Sequence, residues 1–121
     1  MKFEFENNIP IYIQLVEQLK IQIISGEIKA GERLPSVREL ALKTKVNPNT
    51  MQKALSELEE QGLIYTERTN GKFVTENYEL IEQIKTAHAK ENAEKFFTGM
   101  ESIGFDKFQS IEFLKKLGGN K

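Results

Sequence analysis

The chain has no cysteine and no tryptophan, and only one histidine among its 121 residues. Without cysteine it can form neither a disulfide framework nor a thiolate zinc site. It also lacks a glycine-rich loop that could cradle phosphates, and with one histidine an enzymatic centre has few candidate groups. The sequence therefore predicts a protein that is not an enzyme and that needs no cofactor or metal.

Long apolar segments are also missing. No run approaches the roughly 18 apolar residues that a membrane-spanning helix needs. The opening residues, MKFEFENN, lack the apolar core of a signal peptide. We expect a cytoplasmic protein that has no membrane partner.

His88 and Glu91 are the nearest approach to a metal-binding pair, because they lie three residues apart on a predicted helix. Two ligands do not complete a zinc or other structural metal site. A solvated or hydrogen-bonded histidine is the preferred interpretation, and no metal ligands are assigned.

Basic residues are concentrated in one stretch, although the net charge is only −1. Residues 33–53 contain five lysines and arginines but a single acidic residue, Glu39. A local basic surface on a neutral chain is compatible with binding a polyanion such as DNA. A solvated surface that happens to be basic would explain the charges equally well.

Two helices are predicted in the first third of the chain. Apolar residues recur at helical spacing from Pro10, which suits a first helical position, to Gly26, which suits a left-handed cap. Ser36 and Glu39 have the S-x-x-E spacing of a capping box, so a second, short helix should begin at Ser36 and end near Thr44.

The stretch NPNTMQKALSELEEQG predicts a third helix with an unusual, polar entrance. Asn47 can cap it, and Asn49 and Thr50 are short enough to let the helix end approach a surface closely. With Gln52 they carry groups that can reach phosphates or base edges, and Lys53 adds a positive charge. Taken alone, the stretch favours an ordinary capped helix, and only a helix-turn-helix context with basic residues nearby and a hairpin after it favours DNA reading.

The period then changes to that of a β-hairpin. LIYTERTNGKFVT reads as two short strands around Asn70-Gly71, a strong hairpin signal. Helix, helix, turn, helix and hairpin together spell a winged helix-turn-helix. We therefore predict a mostly α fold with a DNA-binding domain of three helices plus a β-hairpin wing in residues 1–75.

Residues 76–121 carry helical patterns and no strand signal. A helix from Tyr78 toward Met100 would place its apolar residues on two opposite sides, so it either continues or breaks near residues 88–92. A second helix follows and ends at Gly118. We predict that this region is a helical dimerisation appendage.

We expect a homodimer because these helices carry many large apolar residues and are too short to bury them alone. Packing back on the N-terminal domain is the alternative. The predicted dimer interface consists of Phe96, Phe97, Met100, Phe108, Ile111 and Leu114.

These segments carry a family resemblance. PIYIQLVEQLKIQIISGEIKAGERLPSVRELA and NPNTMQKALSELEEQGLIYTERTNGKFV resemble the winged-helix module of GntR-family bacterial transcription regulators. The match covers residues 10–75, and its GERLPSVRELA segment is highly specific. The short helical remainder and the NPNT entrance resemble the YtrA-like subfamily, in which a two-helix dimerisation appendage replaces a large effector domain.

The resemblance implies roles for individual residues. Arg38 matches an arginine that GntR proteins direct at DNA, and the wing tip of family members enters the minor groove. The residues implied to bind DNA are Arg38, Asn47, Asn49, Thr50, Gln52, Lys53, Asn70, Gly71 and Lys72.

The chain departs from the common family pattern at Pro48 and Gln52, where many members have arginines, and at Thr69, where many have glycine. The operator therefore need not be the commonest one of the family. Arg33 is ambiguous, since it could contact a phosphate or pair with Glu32 or Glu39.

The expected function is that of a sequence-specific transcription regulator, a repressor, that binds a near-palindromic double-stranded DNA operator as a homodimer. A small-molecule effector is a further candidate partner. The alternative is a winged-helix module used for protein contact without DNA reading. That alternative would not require Arg38, Lys53 and a polar helix entrance on one side of the domain.

Overall fold

A computed structural model describes residues 2–119 and confirms the predicted order of helices and strands. The fold is mostly α, with one two-stranded antiparallel sheet among the described residues. The helices are α1 (Ile11–Ile24), α2 (Val37–Thr44), α3 (Pro48–Glu60), α4 (Tyr78–Ser102) and α5 (Lys107–Leu117), and the strands are β1 (Ile64–Glu67) and β2 (Gly71–Val74).

The chain forms two compact units, which divide between Lys85 and Thr86 within α4. The first unit contains the three helices and the hairpin of the predicted DNA-binding domain. The predicted functional division, 1–75 and 76–121, concerns DNA binding and dimerisation and stays a prediction.

The core of the first unit forms because the apolar stripes of α1, α2 and α3 converge. Helix α3 packs against α1, α2 and β1. The hairpin closes the core with Ile64 and Val74, and both side chains are buried. The fully buried residues of the helices are Leu15, Leu19, Leu40, Met51, Ala54, Leu55 and Leu58.

Helix α1 begins one residue later than the sequence predicted. Pro10 has φ −54° and ψ 136°, so its backbone is extended and not helical. It is the N-cap residue, immediately before the first residue of the helix. Its carbonyl still accepts the N–H of Gln14, and this hydrogen bond closes the first turn of the helix. Gly26 adopts the predicted left-handed conformation, with φ +85°.

The predicted capping box of α2 is confirmed. Ser36 Oγ accepts the N–H of Glu39 at 3.1 Å, and the Glu39 carboxylate accepts the N–H of Ser36 at 3.0 Å. The helix ends at Lys45, whose φ of 59° and ψ of 40° place it in the left-handed region. The short, fixed turn after α2 leads directly into α3.

The hairpin is confirmed, but its turn lies earlier than Asn70-Gly71. The N–H of Asn70 bonds to the carbonyl of Glu67, so Arg68 and Thr69 occupy the centre of the turn. Gly71 already belongs to β2, where it pairs with Glu67. A third extended segment supports the hairpin, because the N–H of Leu34 bonds to the carbonyl of Lys72 at 2.8 Å.

In the second unit, the described residues include the end of α4, a turn and α5. Helix α4 is continuous through residues 88–92, so the alternative of a break there is wrong. Gly104, with φ +97°, ends the turn after α4. Asp106 then caps α5 by accepting the N–H of Gln109 at 2.8 Å.

Candidate nucleic-acid interface

The entrance of α3 presents polar groups at the end of a helix. Asn47 Oδ1 accepts the N–H of Asn49 at 2.7 Å, so the side chain of Asn47 is the predicted cap. Pro48 is the first helical residue, where no N–H is lost. The side chain of Asn49 is exposed and that of Thr50 is half-buried. The first turn thus offers partial positive charge and short hydrogen-bonding groups.

Gln52 lies one turn along α3 and is exposed. Its Nε2 donates to Ser56 Oγ at 3.1 Å within the same helix. An exposed bond of this kind exchanges readily for a bond to a base, because both partners can also bond to water. The geometry therefore leaves the Gln52 amide available for reading an adenine edge.

Arg38 lies on α2 beside the entrance of α3. It borders one shallow depression together with Lys45 and Pro48, while Ala41, Leu42 and Val46 supply the apolar part of its lining. Within residues 2–119, neither Arg38 nor Lys45 makes a hydrogen bond or ion pair through its side chain. The structure thus brings two uncompensated positive charges to the helix entrance.

Lys45 was not among the residues that sequence reasoning assigned to DNA. It is the one described residue other than glycine with a positive φ. Its place in the basic stretch, directly in the turn between the two helices, could have indicated from the sequence that it lies on the candidate DNA surface.

The other two predicted cations have partners inside the protein. Lys53 Nζ lies 4.7 Å from the centre of the Tyr12 ring, a cation–π distance. Lys72 Nζ lies 3.4 Å from Glu59 Oε1 and 2.9 Å from Thr66 Oγ1. The roles of Lys53 and Lys72 in DNA binding stay predictions, and each contact must be loosened or shared to reach a phosphate.

The wing tip consists of Arg68, Thr69 and Asn70, all exposed. Lys72, which the sequence placed at the tip, instead lies within β2 opposite Thr66. Arg68 was missed, although it is the only basic residue of the turn segment. Among the described residues its guanidinium has no ion-pair partner within 4 Å.

Gly71 is required by the shape of the wing. Its φ is +102°, and a Cβ atom there would lie 3.3 Å from Arg33 Nε. Arg33 therefore packs along the base of the wing. No ion pair within 4 Å joins Arg33 to Glu32, both of which are described. Glu32 Oε1 instead accepts the N–H of Lys29 at 2.9 Å.

The pKa of the Glu39 carboxyl lies below its usual range. The main cause is the hydrogen bond from the backbone of Ser36, followed by that from the Ser36 hydroxyl. The positive charge of Arg33 lowers the pKa further, and desolvation opposes these effects. Arg33 thus lowers the pKa of Glu39 by charge attraction at a distance, because no ion pair within 4 Å is described between the two residues.

Other kinds of site are not formed by the described part of the chain. Within it, no three residues drawn from its one histidine and its acidic residues lie close enough together to hold a metal ion. None of the helices between residues 2 and 119 combines the length and the apolarity needed to cross a bilayer.

Comparison with known proteins agrees with this geometry. Residues 11–74 match the family described as bacterial regulatory proteins, gntR family. The chain is 36% identical over 113 residues to the HTH-type transcriptional repressor YtrA of Bacillus subtilis (strain 168), covering 92% of this chain and 86% of YtrA.

Solved structures agree as well. A GntR family transcriptional regulator from Listeria monocytogenes is 44% identical, with a TM-score of 0.85 over 93% of this chain and 98% of that one. The AraR DNA-binding domain in complex with operator ORX1 is 29% identical, with a TM-score of 0.56 over 62% of this chain and 96% of that one.

The predicted absence of enzymatic activity is confirmed by these relatives, because regulators of this family are not enzymes. The match covers the three helices and the wing, and the similarity to YtrA extends through the helical appendage. The chain therefore belongs to the GntR family of bacterial transcription regulators, and within that family it is YtrA-like.

Proposed function

We propose that the chain is a repressor that binds a near-palindromic DNA operator as a homodimer. The observation that carries the proposal is the exposed apolar face of α5. Phe108 is 72% exposed and Leu117 is 71% exposed. Ile111 and Leu114 lie between them at helical spacing and are 43% exposed, so the apolar residues form one continuous row along α5. A continuous exposed apolar surface, unlike a single exposed residue, marks an interaction site.

The second unit cannot bury these residues by itself. Among its described residues, Ser110 is the only buried one, and α4 buries none of its side chains. Two helices with so little internal core need a partner to become stable. An identical pair of helices from a second copy supplies one, since a two-fold axis makes an apolar surface complementary to itself.

A two-fold dimer presents two equal α3 entrances to the DNA. The operator that fits it is a near-palindrome whose half-site centres lie about one helical turn apart. Repression follows from the resemblance to YtrA, which is named a transcriptional repressor. Occupation of such an operator blocks transcription without any further chemistry in the protein.

Sedimentation of the full chain at micromolar concentration tests the dimer. We expect twice the chain mass for the wild type and the monomer mass for Phe108→Asp, because a carboxylate in the apolar interface would lose its hydration. The matched control is Tyr78→Asp, since Tyr78 is 67% exposed but lies outside the predicted interface. A monomeric wild type contradicts the dimer.

Selection of duplexes from a random pool at stated salt tests the reading of DNA. Gln52→Ala should cost roughly 1–3 kcal/mol on the selected operator, little on scrambled DNA, and blur one position in each half-site. Gln83→Ala, on the exposed surface of α4, is the control. If neither Gln52→Ala nor Asn49→Ala changes the preference, the entrance of α3 is only a helix cap.

Arg38 adds a second, distinguishable effect. Its guanidinium can reach either a phosphate or a guanine. Arg38→Ala should therefore weaken binding strongly on the operator and less strongly on scrambled DNA. An equal loss on both would make Arg38 a phosphate contact alone.

A further inference from the structure

A ladder of glutamines ties the start of the chain to α1. Gln14, Gln18 and Gln22 are spaced by four residues, so they form one row along the helix. Their side-chain amides bond to the backbone of residues 2–6, here called the N-terminal strap. These contacts are not predictable from the apolar pattern, since glutamines on a helix usually face solvent.

Two rungs of the ladder have the form of a strand pairing. The N–H of Glu6 donates to Gln14 Oε1 at 2.7 Å, and Gln14 Nε2 donates back to the carbonyl of Glu6 at 2.9 Å. Gln18 bonds in the same way to the N–H and carbonyl of Glu4. Gln14 and Gln18 thus each satisfy both backbone groups of one strap residue.

The third rung is half complete. Gln22 Nε2 donates to the carbonyl of Lys2 at 3.2 Å, while Gln22 Oε1 is buried without a partner among the described residues. The two spacings explain why the ladder holds its register. Four helical residues rise about 6 Å, and two extended residues span about 6.6 Å.

The ladder determines which side chains of the strap face the protein. Because residues alternate along an extended segment, the odd-numbered side chains point away from Lys2, Glu4 and Glu6. These are Phe3 and Phe5, whose rings stack at 6.3 Å and pack on the core of the first unit.

Phe5 lies beside the entrance of the recognition helix. It borders a depression together with Ile11 and with five residues that run from the end of α2 to the first turn of α3. These five are Thr44, Lys45, Val46, Asn47 and Thr50. Phe3 does not border this depression. Both phenylalanines lie on the strap, stack on each other and pack on the core, but only Phe5 borders the depression at the entrance of α3.

We propose that the N-terminal strap, registered by the glutamine ladder, positions the entrance of α3 for DNA through Phe5. This inference rests on the proposed function, in which α3 reads the operator. Phe5 and the three glutamines are positioning residues, since none of them needs to touch DNA.

The effect on binding follows from preorganisation. Helix ends fray, and the first turn of α3 contains Asn49 and Thr50, whose helix propensity is low. Because the Phe5 ring borders the same depression as Asn47 and Thr50, we infer that it limits the conformations open to the entrance of α3. If only a fraction of molecules holds the reading conformation, apparent operator affinity falls by that fraction. Phosphate contacts depend less on this geometry, so affinity for scrambled DNA changes less.

The test compares Phe5→Ala with Phe3→Ala in the full chain. Both substitutions remove a half-buried ring from the strap, so both should lower the melting temperature. At a temperature where circular dichroism shows every variant folded, Phe5→Ala should reduce the operator-to-scrambled affinity ratio by about fivefold or more, the scale of one lost base contact. Phe3→Ala should leave the ratio unchanged, and Phe5→Tyr, which keeps the ring, should retain it.

A substitution of Gln18 tests the role of the glutamine ladder. Gln18→Met keeps the length and helix propensity of the side chain but removes both bonds to Glu4. It should speed amide exchange at Glu4 and Glu6 and lower the affinity ratio as Phe5→Ala does. Gln83→Met, at an exposed position of α4, is the matched control.

The outcomes separate this inference from the proposed function. If the wild type does not discriminate an operator from scrambled DNA, the proposed function fails and this inference fails with it. If the wild type discriminates and Phe5→Ala discriminates equally well, only the positioning role is overturned. Equal losses of the ratio in Phe5→Ala and Phe3→Ala would also overturn it, since the effect would then be one of stability alone.

Discussion

At the scale of single residues, the backbone conformation of Lys45 favours glycine, whereas its position beside the α3 entrance favours a positive charge. Its left-handed backbone allows α2 to end and α3 to begin within a few residues. A side chain in that region costs about 1–2 kcal/mol, which glycine would not. The side chain lies beside the α3 entrance and borders the same depression as Arg38, so we expect its charge to contribute to DNA binding.

Lys45→Gly should therefore separate stability from DNA binding. Relief of the backbone strain is worth about 1–2 kcal/mol, and the freer unfolded chain takes back about 0.4–1 kcal/mol. The free energy of unfolding should therefore be unchanged or higher, by at most about 1.6 kcal/mol. Loss of a phosphate contact should weaken all DNA sequences alike and flatten the log–log salt dependence by about one unit. Urea unfolding and a salt series measure the two effects. The control is Lys43→Gly. Because Lys43 lies within α2, glycine there should lower the free energy of unfolding instead.

Single residues also show what the sequence could not predict. The cap of Asn47 follows from local spacing and is confirmed. The partners of Lys53 and Lys72 depend on residues distant in the chain, Tyr12 and Glu59, which no local pattern connects to them. For the same reason, the glutamine ladder is visible only once α1 and the strap lie side by side.

At the scale of elements, α2 depends on its capping box. The carboxylate of Glu39 accepts the N–H of Ser36, and this bond lowers the pKa of Glu39. A lowered pKa means that the bond stabilises the folded state above the pKa of the unfolded chain. This stabilisation is lost as the pH falls through the folded pKa.

Glu39→Gln should remove that pH dependence while keeping a capping oxygen. The stability advantage of the wild type over Glu39→Gln should be constant near neutral pH and shrink as the pH falls through the folded pKa of Glu39. Urea unfolding from pH 7 down to about pH 3, below the usual pKa of a glutamate, measures it. Glu39→Ala, which loses the cap altogether, should be less stable than Glu39→Gln at every pH. An advantage that stays constant in acid would contradict the assigned carboxylate bond.

The wing is fastened to the end of α3 by a small polar network. Glu59 bonds to Lys72 and to Thr66 across the hairpin. Such exposed ion pairs contribute roughly 0–1 kcal/mol to stability. The larger consequence concerns DNA, because Glu59 compensates a charge that the family resemblance assigns to the DNA surface.

Glu59→Gln should strengthen DNA binding. The substitution frees Lys72 Nζ for a phosphate and should steepen the log–log salt dependence by about one unit. Glu60→Gln changes the net charge equally but has no described partner, so it isolates the role of Lys72. Fluorescence anisotropy across a salt series gives both slopes. Equal effects of the two variants would remove Lys72 from the DNA surface.

At the scale of the whole molecule, the sequence predicted the winged helix-turn-helix because its signals are local. The capping box, the proline at the entrance of α3 and the hairpin pattern each act within a few residues. The continuity of α4 was harder to predict, since its apolar residues change sides partway and no breaker interrupts the helix. Near its start, α4 packs Ile81 and Ile84 against the core of the first unit. In the proposed dimer a second chain covers the other side, and one sequence read alone does not show that chain.

The proposed dimer makes a thermodynamic prediction for the entire chain. If folding and association are coupled, the melting temperature must rise with protein concentration. Unfolding a dimer of 121-residue chains has an entropy of about 0.5 kcal/mol/K, and a tenfold change in concentration is worth about 1.4 kcal/mol. The expected shift is therefore roughly 3 °C per tenfold change in concentration.

Calorimetry of the wild type over a hundredfold concentration range should show this slope. Phe108→Asp should abolish it, because the monomer has no association to lose, and its melting temperature should also lie lower. Tyr78→Asp should keep the wild-type slope, since that side chain is equally open to water but lies at the start of α4. A wild-type melting temperature independent of concentration would mean that the apolar face of α5 is not covered by a second copy, and the two-fold reading of the operator would lose its physical basis.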